Sequence, residues 1–190
     1  LNNASSQEVG LVLSGGGSKG VGHIGVIKAL EENNIPIDYV AGTSMGAVIG
    51  GLYASGYSPE EMKELVNSEE FNKWVESEIS KEYRYYFKKN NVDASWITLE
   101  YDLKKKEDKK APRKLSLPAN ILSPHLMDFA IMETFTPPET VAKSDFDSLF
   151  VPFRCVAADV ANNQPAVLES GDLGKAIRAS MSFPFYFKPV

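Results

Sequence analysis

Cysteine, long apolar runs and an excess of positive charge are scarce or absent in the sequence, and each absence excludes a class of protein or site. It contains a single cysteine, Cys155, which excludes an intramolecular disulfide and a four-cysteine zinc site. No window approaches the roughly eighteen apolar residues of a membrane-spanning helix. The formal net charge of -5 argues against a general nucleic-acid-binding protein. What remains is an ordinary globular composition, 43% hydrophobic and 24% charged, in a chain long enough for one domain.

The two termini differ in character. Residues 1–8 form a polar lead that we expect to be disordered or a remnant of cloning, and residues 9–190 are expected to form a single domain. The chain ends in the apolar, aromatic stretch SFPFYFKPV, whereas natural C-termini are usually polar. We therefore expect the folded unit to continue beyond Val190. A single cysteine leaves the cellular compartment open, because a cysteine-poor protein folds in either redox environment.

Strand and helix signals alternate over the first part of the chain. Apolar runs predict buried strands over 9–13 and 37–42, apolar periodicity predicts helices over 21–32 and 45–54, and Ser58-Pro59 with Glu61 predicts a third, capped helix. This βαβα order is typical of a parallel sheet flanked by helices, in which the carboxyl ends of the strands lie at one edge. The glycine-rich loop after the first strand and the turn after the second should therefore meet there.

The middle of the chain departs from this alternation. We predict a variable insertion over about 71–148, in which SWITLEYDL and RKLSLP form a hairpin with a basic tip at 104–114. A helix is predicted from Ser123-Pro124 to about Phe135, where Pro137-Pro138 should end it. Beyond the insertion, LFVPFRCVAADV predicts a buried strand that ends near Asp159, and a helix is predicted after Gly171.

The second strand leads into Gly42-Thr43-Ser44-Met45-Gly46, a Gly-x-Ser-x-Gly pentapeptide followed by a helix. Such a turn holds its serine in a strained, exposed position at the helix N-terminus, and Gly42 and Gly46 avoid clashes with neighbouring elements. Ser44 is therefore a candidate catalytic nucleophile. The alternative is an ordinary N-cap serine in a glycine-rich turn.

The glycine-rich loop SGGGSKG, residues 14–20, leaves backbone amides unshielded at the start of a helix. Its G-x-G-x-x-G spacing formally matches the dinucleotide fingerprint, but Asp38 lies at the beginning of the next strand rather than at its end. A Walker A loop is excluded because Lys19 precedes Gly20. We favour a third interpretation, an oxyanion hole that serves Ser44.

A serine hydroxyl needs a base to take its proton. In a Ser-His-Asp enzyme with this strand-turn-helix geometry, the acid and then the histidine follow the serine along the chain. The sequence contains only His23, which precedes Ser44, and His125, which lies upstream of the strand that ends at Asp159. The usual triad therefore has no natural histidine here.

Four segments together resemble the patatin-like phospholipase family in its bacterial type: LVLSGGGSKGVGHIGVIKAL, DYVAGTSMGAVIGGLYASG, CVAADV and KAIRASMSFPFYFKPV. The resemblance extends with gaps from about Val9 to Val190 and is weaker over 71–148. It implies an α/β fold, a three-layer sandwich with a mostly parallel central sheet flanked by helices. It also implies a serine lipid acyl hydrolase of the phospholipase A or esterase type, in a bacterial cytoplasm or cell envelope, without a metal or organic cofactor.

The resemblance further implies a Ser-Asp dyad instead of a triad. In it Ser44 would be the nucleophile, amides of Gly15, Gly16 and Gly17 would form the oxyanion hole, and Lys19 and Gly20 would complete that motif. The family's aspartate lies in an Asp-Gly-Gly or Asp-Gly-Ala motif, and the sequence contains no Asp-Gly dipeptide. The dyad aspartate is therefore expected beyond Val190. Asp159 is kept as a substitute base, because it ends a strand at the same sheet edge.

Other interpretations stay open. A module that binds lipid or phosphate without turnover, natural or through truncation, would use the same glycine loop. Arg178 in the AIRAS segment is either an ion pair on a helix surface or a brace near the dyad. The basic tip at 104–114 is either a solvated loop or a peripheral contact with an anionic membrane. The expected substrate is a phospholipid or another acyl ester, and nucleic acid is not expected because no binding motif accompanies the charge.

Overall fold

The computed structural model describes residues 7–69, 71 and 125–182, together with two short strands at 98–100 and 114–116. The strands are β1 (Gly10–Leu13), β2 (Tyr39–Thr43), β3 (Thr98–Glu100), β4 (Lys114–Ser116), β5 (Phe153–Asp159) and β6 (Gln164–Leu168). The α-helices are α1 (His23–Glu32), α2 (Met45–Ala54), α3 (Pro59–Asn67), α4 (His125–Ala142) and α5 (Leu173–Ser180). Short 3-10 helices cover Gly17–Gly22 and Phe146–Ser148.

The central sheet has the strand order β1-β2-β5-β6 and is flanked by helices. Strands β1, β2 and β5 are parallel, and β6 is antiparallel to β5. This arrangement confirms the expected α/β fold with a mostly parallel sheet. It places the glycine-rich loop after β1 and the turn after β2 at one sheet edge, because neighbouring parallel strands have their carboxyl ends on the same side.

Helix α2 forms the centre of the core. All ten of its residues are buried, and it covers the sheet face that carries Leu13, Val40 and Phe153. Helix α5 packs against β5 and α4, and the Cys155 thiol donates a hydrogen bond of 3.2 Å to the carbonyl of Ala176. The core is therefore continuous from the first strand to the last helix, and it fixes the two segments that meet at the sheet edge.

Two signals that the sequence carries locally are confirmed. The Ser58 side chain accepts a hydrogen bond from the Glu61 amide while the Glu61 carboxylate accepts one from the Ser58 amide, which is the predicted capping box. Strands β3 and β4 pair antiparallel, with Leu99 opposite Leu115, as the predicted hairpin requires. The basic tip between these strands and the polar lead up to residue 6 lie outside the described residues.

The prediction that Pro137-Pro138 ends a helix was wrong. Helix α4 continues through both prolines to Ala142. A proline keeps the backbone angle φ of a helix, but it lacks the amide donor and its ring crowds the carbonyl four residues before it, so other contacts must stabilise the helix there. Phe135 before the pair and Ala142 after it are both buried in the core, and their burial holds the chain helical on either side. Packing here overrides a local stop signal.

Strand β6 was not predicted from the sequence. It contains Pro165, which cannot donate to a sheet ladder, and it follows a turn at Asn163, where φ is 53°. An edge strand tolerates proline because one side of its backbone needs no partner strand. Among the helices of the described residues, none combines the length and the apolar character needed to cross a membrane.

The buried cysteine gives a test of this packing. Cys155 is fully buried on β5, and burial raises the pKa of its thiol to about 12. The thiolate is the reactive form, so a native thiol should react with Ellman's reagent at pH 8 far more slowly than the same thiol in guanidinium chloride. Rapid labelling of the native protein, at the rate of the denatured one, would contradict the position of β5 beneath α5.

Candidate active site

Ser44 lies at the turn between β2 and α2 in a strained backbone conformation. Its φ is 55° and its ψ is -124°, a combination that costs a non-glycine residue about 1–3 kcal/mol. Although it occupies the N-cap position, its side chain makes no capping hydrogen bond. Ser58, at the start of α3, has a φ of -70° and does cap its helix. The ordinary N-cap interpretation of Ser44 therefore fails, and the Ser44 hydroxyl is left uncommitted to the helix.

The two flanking glycines allow this turn to pack tightly. A Cβ atom built on Gly42 would lie 2.3 Å from the carbonyl oxygen of Gly46, and one built on Gly46 would lie 2.3 Å from the carbonyl oxygen of Leu13. Both positions face backbone that cannot move aside without shifting a strand or the helix. Glycine at both positions thus lets α2 begin directly against the ends of β1 and β2.

The glycine-rich loop lies beside the serine, as predicted. A Cβ atom built on Gly15 would lie 3.1 Å from Ser44 Cβ and 3.8 Å from Ser44 Oγ. Gly15, Gly16 and Gly17 are exposed, and within the described part of the chain their amides donate no backbone hydrogen bond. Such amides next to a serine hydroxyl are suitable donors for a negatively charged oxygen.

The remaining residues of the loop support its shape. Gly20 packs against α2, since a Cβ atom there would lie 2.6 Å from Met45 Cβ. Lys19 is exposed, and its amide donates a hydrogen bond of 3.2 Å to the carbonyl of Gly16. The His23 ring donates from Nε2 to the carbonyl of Ser14 at 2.9 Å. His23 therefore braces the loop backbone and is bonded away from Ser44.

A residue that sequence reasoning missed fixes the other side of the turn. The Ser44 amide donates a hydrogen bond of 2.7 Å to Ser180 Oγ, and Ser180 Oγ in turn donates one of 2.5 Å to the carbonyl of Val156. Ser180 ends α5 and is separated from Ser44 by 136 residues. Its segment, AIRAS, contributed to the family resemblance, but no local pattern pointed to this contact.

The same segment shows where Arg178 lies. Its guanidinium is buried and donates to Asp128 Oδ1 at 2.5 Å and to Ser182 Oγ at 2.8 Å. The interpretation of Arg178 as an exposed helix-surface ion pair was therefore wrong. Arg178 thus joins α5 to α4 through an ion pair whose arginine is buried and whose aspartate is half exposed.

Asp159 ends β5 at the edge of the cleft over Ser44, but its carboxylate is engaged in a turn. It accepts hydrogen bonds from the amides of Ala161 and Asn162 and from the Asn162 side chain. The Asn162 side-chain amide, with the backbone amides beside it, holds the pKa of Asp159 below its usual range. A carboxylate with a lowered pKa is a weaker general base, so this environment suits a turn and not proton abstraction.

Asp172 also has a structural role. It is the N-cap of α5, and its carboxylate accepts a hydrogen bond from the amide of Lys175.

Asp38 lies on the side away from this cleft. Its carboxylate accepts a hydrogen bond of 2.7 Å from the amide of Val9, at the amino ends of β1 and β2. A dinucleotide site needs its acidic residue at the carboxyl end of the second strand. The dinucleotide interpretation of the glycine loop is therefore not supported by this geometry.

Met181 lines two separate cavities. A cleft of about 520 Å³ lies over Ser44, with walls that include Val156, Asp159 and Met181. An apolar cavity of about 50 Å³ lies between α2 and α4 and is lined by residues such as Val48, Ala130 and again Met181. Met181 thus borders both the cleft over the serine and the apolar cavity between the helices.

Comparison with known proteins gives the family. The model of the patatin-like phospholipase family matches residues 11–190. The lysophospholipase NTE1 of Candida albicans is 30% identical over 186 residues, which are 98% of this chain and 11% of that protein. The lysophospholipase NTE1 of Yarrowia lipolytica is 64% identical over 53 residues, 28% of this chain and 4% of that protein. The chain therefore spans only a small part of the length of these relatives.

A solved structure shows a similarity over most of the chain. It is the heterodimeric ExoU–SpcU complex from the type III secretion system of Pseudomonas aeruginosa, with 22% identity and a TM-score of 0.49. The match covers 96% of this chain and 38% of the chain in that complex. Because the family model matches nearly the whole sequence, from residue 11 to its end, the chain belongs to the patatin-like phospholipase family.

Proposed function

We propose that this chain carries the nucleophile and the oxyanion hole of a serine hydrolase that cleaves the acyl esters of lipids. The observation that supports the proposal best is the position of Ser44. Its hydroxyl makes no helix-capping bond, its backbone is strained, and it lies against a loop whose exposed amides donate no backbone hydrogen bond in the described part of the chain. Membership of the patatin-like phospholipase family supports the proposed substrate class, a phospholipid or another acyl ester.

In the proposed reaction, Ser44 Oγ attacks the ester carbonyl carbon while a base takes its proton. The carbonyl electron pair moves onto oxygen, and the amides of Gly15, Gly16 and Gly17 stabilise that oxyanion. When the carbonyl re-forms, the alcohol leaves with a proton and the acyl group stays on Ser44. Water then attacks this acyl-enzyme by the same steps and releases the fatty acid.

The base is the part of the proposal that the described residues do not supply. His23 is bonded to the glycine loop, and Asp159 is bonded to its own turn. We therefore propose, from the family resemblance, that an aspartate outside this chain completes a Ser-Asp dyad. The contact of the basic segment at 104–114 with an anionic membrane remains a further part of the proposal, supported only by its charge.

The apolar cavity is the proposed site for part of the acyl chain. It lies behind Met181, next to the first residue of α2, and its lining is almost entirely aliphatic or aromatic. A fatty acyl chain whose carbonyl is held at Ser44 could pass Met181 and bury its far end there. Each buried methylene would contribute about 0.8 kcal/mol to the selection of longer esters.

The nucleophile is tested by Ser44→Ala in the full-length protein. We expect ester hydrolysis to fall by at least about a thousand-fold, because the covalent step is lost, with an unchanged circular dichroism spectrum. Ser55→Ala, at the other end of α2, is the matched control and should retain activity. A Ser44→Ala variant that hydrolyses esters at the wild-type rate would contradict the proposal. A wild-type protein that binds lipid vesicles but hydrolyses no ester would favour the alternative of a non-catalytic binding module.

The role of Asp159 is tested by Asp159→Asn. Because a general base contributes about a hundred-fold or more, a turn-forming role predicts that kcat stays within about threefold of the wild-type value. Asp145→Asn is the control, since Asp145 also accepts bonds within a turn, from the Asp147 amide and the Ser148 hydroxyl. A hundred-fold loss confined to Asp159→Asn would instead identify Asp159 as the base.

The acyl-chain site is tested by Ala130→Leu, which fills the apolar cavity from α4. Losing room for two or three methylenes should lower kcat/KM for long-chain p-nitrophenyl esters by about ten- to hundred-fold and leave the butyrate ester unaffected. Thr136→Leu places the same side chain on the exposed face of α4 and is the control. An unchanged chain-length profile in Ala130→Leu would place the acyl chain elsewhere.

A further inference from the structure

We propose that Ser180 is a positioning residue for the nucleophile. Its hydroxyl holds the backbone amide of Ser44 and thereby fixes the strained backbone conformation from which Ser44 Oγ projects beside the glycine loop. The catalytic consequence rests on the function proposed above for Ser44. The contact itself does not depend on the proposed function, because the hydrogen bond between the Ser44 amide and Ser180 Oγ is seen in the structure.

The hydroxyl of Ser180 lies where the sheet ladder ends. Strands β2 and β5 pair in parallel up to Thr43 and Val156. At the next residue, Ser44, φ becomes positive and the chain leaves the strand. Ser180 Oγ stands between the Ser44 amide and the Val156 carbonyl, accepting from the first at 2.7 Å and donating to the second at 2.5 Å. A side-chain hydroxyl thus connects the turn to β5 where the two backbones no longer pair.

Helix α5 holds this hydroxyl in place. Its buried residue Arg178 bonds to Asp128 on α4, and its Ala176 carbonyl accepts from the Cys155 thiol on β5. A residue in a strained conformation persists only where its surroundings determine it fully. The Ser44 carbonyl is already held by the first turn of α2, through the amides of Ala47 and Val48. Ser180 holds the other end of the same residue.

The direction of these bonds restricts which groups can act on an oxyanion. The single hydroxyl proton of Ser180 goes to Val156, so Ser180 presents a lone pair to Ser44. The Ser44 amide is occupied by that lone pair and is not free to stabilise an oxyanion. In this arrangement Ser180 acts on Ser44 through the Ser44 backbone amide, and that amide is not among the donors available to an oxyanion.

The test compares Ser180→Ala, Ser180→Cys and Ser180→Thr in the full-length protein, with Ser55→Ala as the matched control. Ser55 Oγ is buried without a hydrogen-bond partner among the described residues, so its removal should change little. Leaving the Ser44 amide unsatisfied in Ser180→Ala should lower kcat for p-nitrophenyl butyrate by about ten- to hundred-fold, with KM within about twofold. Ser180→Cys, whose thiol is a weak acceptor, should show a smaller loss, and Ser180→Thr should stay within about threefold of wild type.

A second readout does not depend on catalysis. Residue-resolved hydrogen exchange of the Ser44 amide should accelerate by at least about tenfold in Ser180→Ala, since its acceptor is gone, but not in Ser180→Thr or Ser55→Ala. If Ser180→Ala fails to fold, kcat and the exchange rate of the Ser44 amide are both measured on Ser180→Cys, because cysteine has nearly the shape of serine.

The outcomes separate the two proposals. Wild-type kcat and wild-type exchange at Ser44 in Ser180→Ala and Ser180→Cys would overturn the positioning role. An increase in KM with an unchanged kcat would also overturn the positioning role, because it would indicate that Ser180 contacts the substrate. If the wild-type protein neither hydrolyses esters nor reacts with a fluorophosphonate, the proposed function fails. Faster exchange at the Ser44 amide would then still support the positioning contact.

Discussion

The close approach of helix α2 to the ends of β1 and β2 is the constraint on which the rest of the site depends. The helix can begin there only because Gly42 and Gly46 have no side chain where each would meet backbone at 2.3 Å. The chain must turn sharply between them, and Ser44 takes up the turn with a positive φ. The same approach places Ser44 beside Gly15 and buries the whole of α2. A larger residue at either glycine would have to push the helix away from the sheet and thereby move the serine.

This constraint explains why the strain at Ser44 can be maintained. Several separate contacts fix the turn: the first turn of α2 holds the Ser44 carbonyl, Ser180 holds its amide, and Gly20 packs against Met45. Each contact comes from a different part of the chain, and each is supported by the buried core. The hydroxyl of Ser44 is the part of the residue that stays uncommitted to the helix. Under the proposed function, a backbone fixed in this way would prepare that hydroxyl for attack before any substrate binds, which is how a preorganised site lowers a reaction barrier.

The sequence predicted the parts of the molecule that are encoded by neighbouring residues. The strand, the glycine spacing and the helix around Ser44 are contiguous, and so is the capping box at Ser58, so both could be recognised without a structure. Contacts between distant segments could not. Ser180 contacts Ser44 although 136 residues separate them in the sequence. The local sequence predicts that Pro137-Pro138 end a helix, but the helix continues because Phe135 and Ala142 are buried in the core, and that burial depends on distant residues. Strand β6 was missed for a related reason, since only its position at the sheet edge makes Pro165 acceptable.

The central claim is that Ser44 Oγ attacks an acyl carbon while loop amides bind the developing oxyanion. A crystal structure of the protein after reaction with a fluorophosphonate tests it most directly, because the phosphonyl group imitates the tetrahedral intermediate. The account predicts a covalent bond from phosphorus to Ser44 Oγ, with the phosphonyl oxygen about 2.7–3.1 Å from amide nitrogens of the Gly15–Gly17 loop. An adduct on another residue, or a phosphonyl oxygen that points away from the loop into solvent, would contradict it.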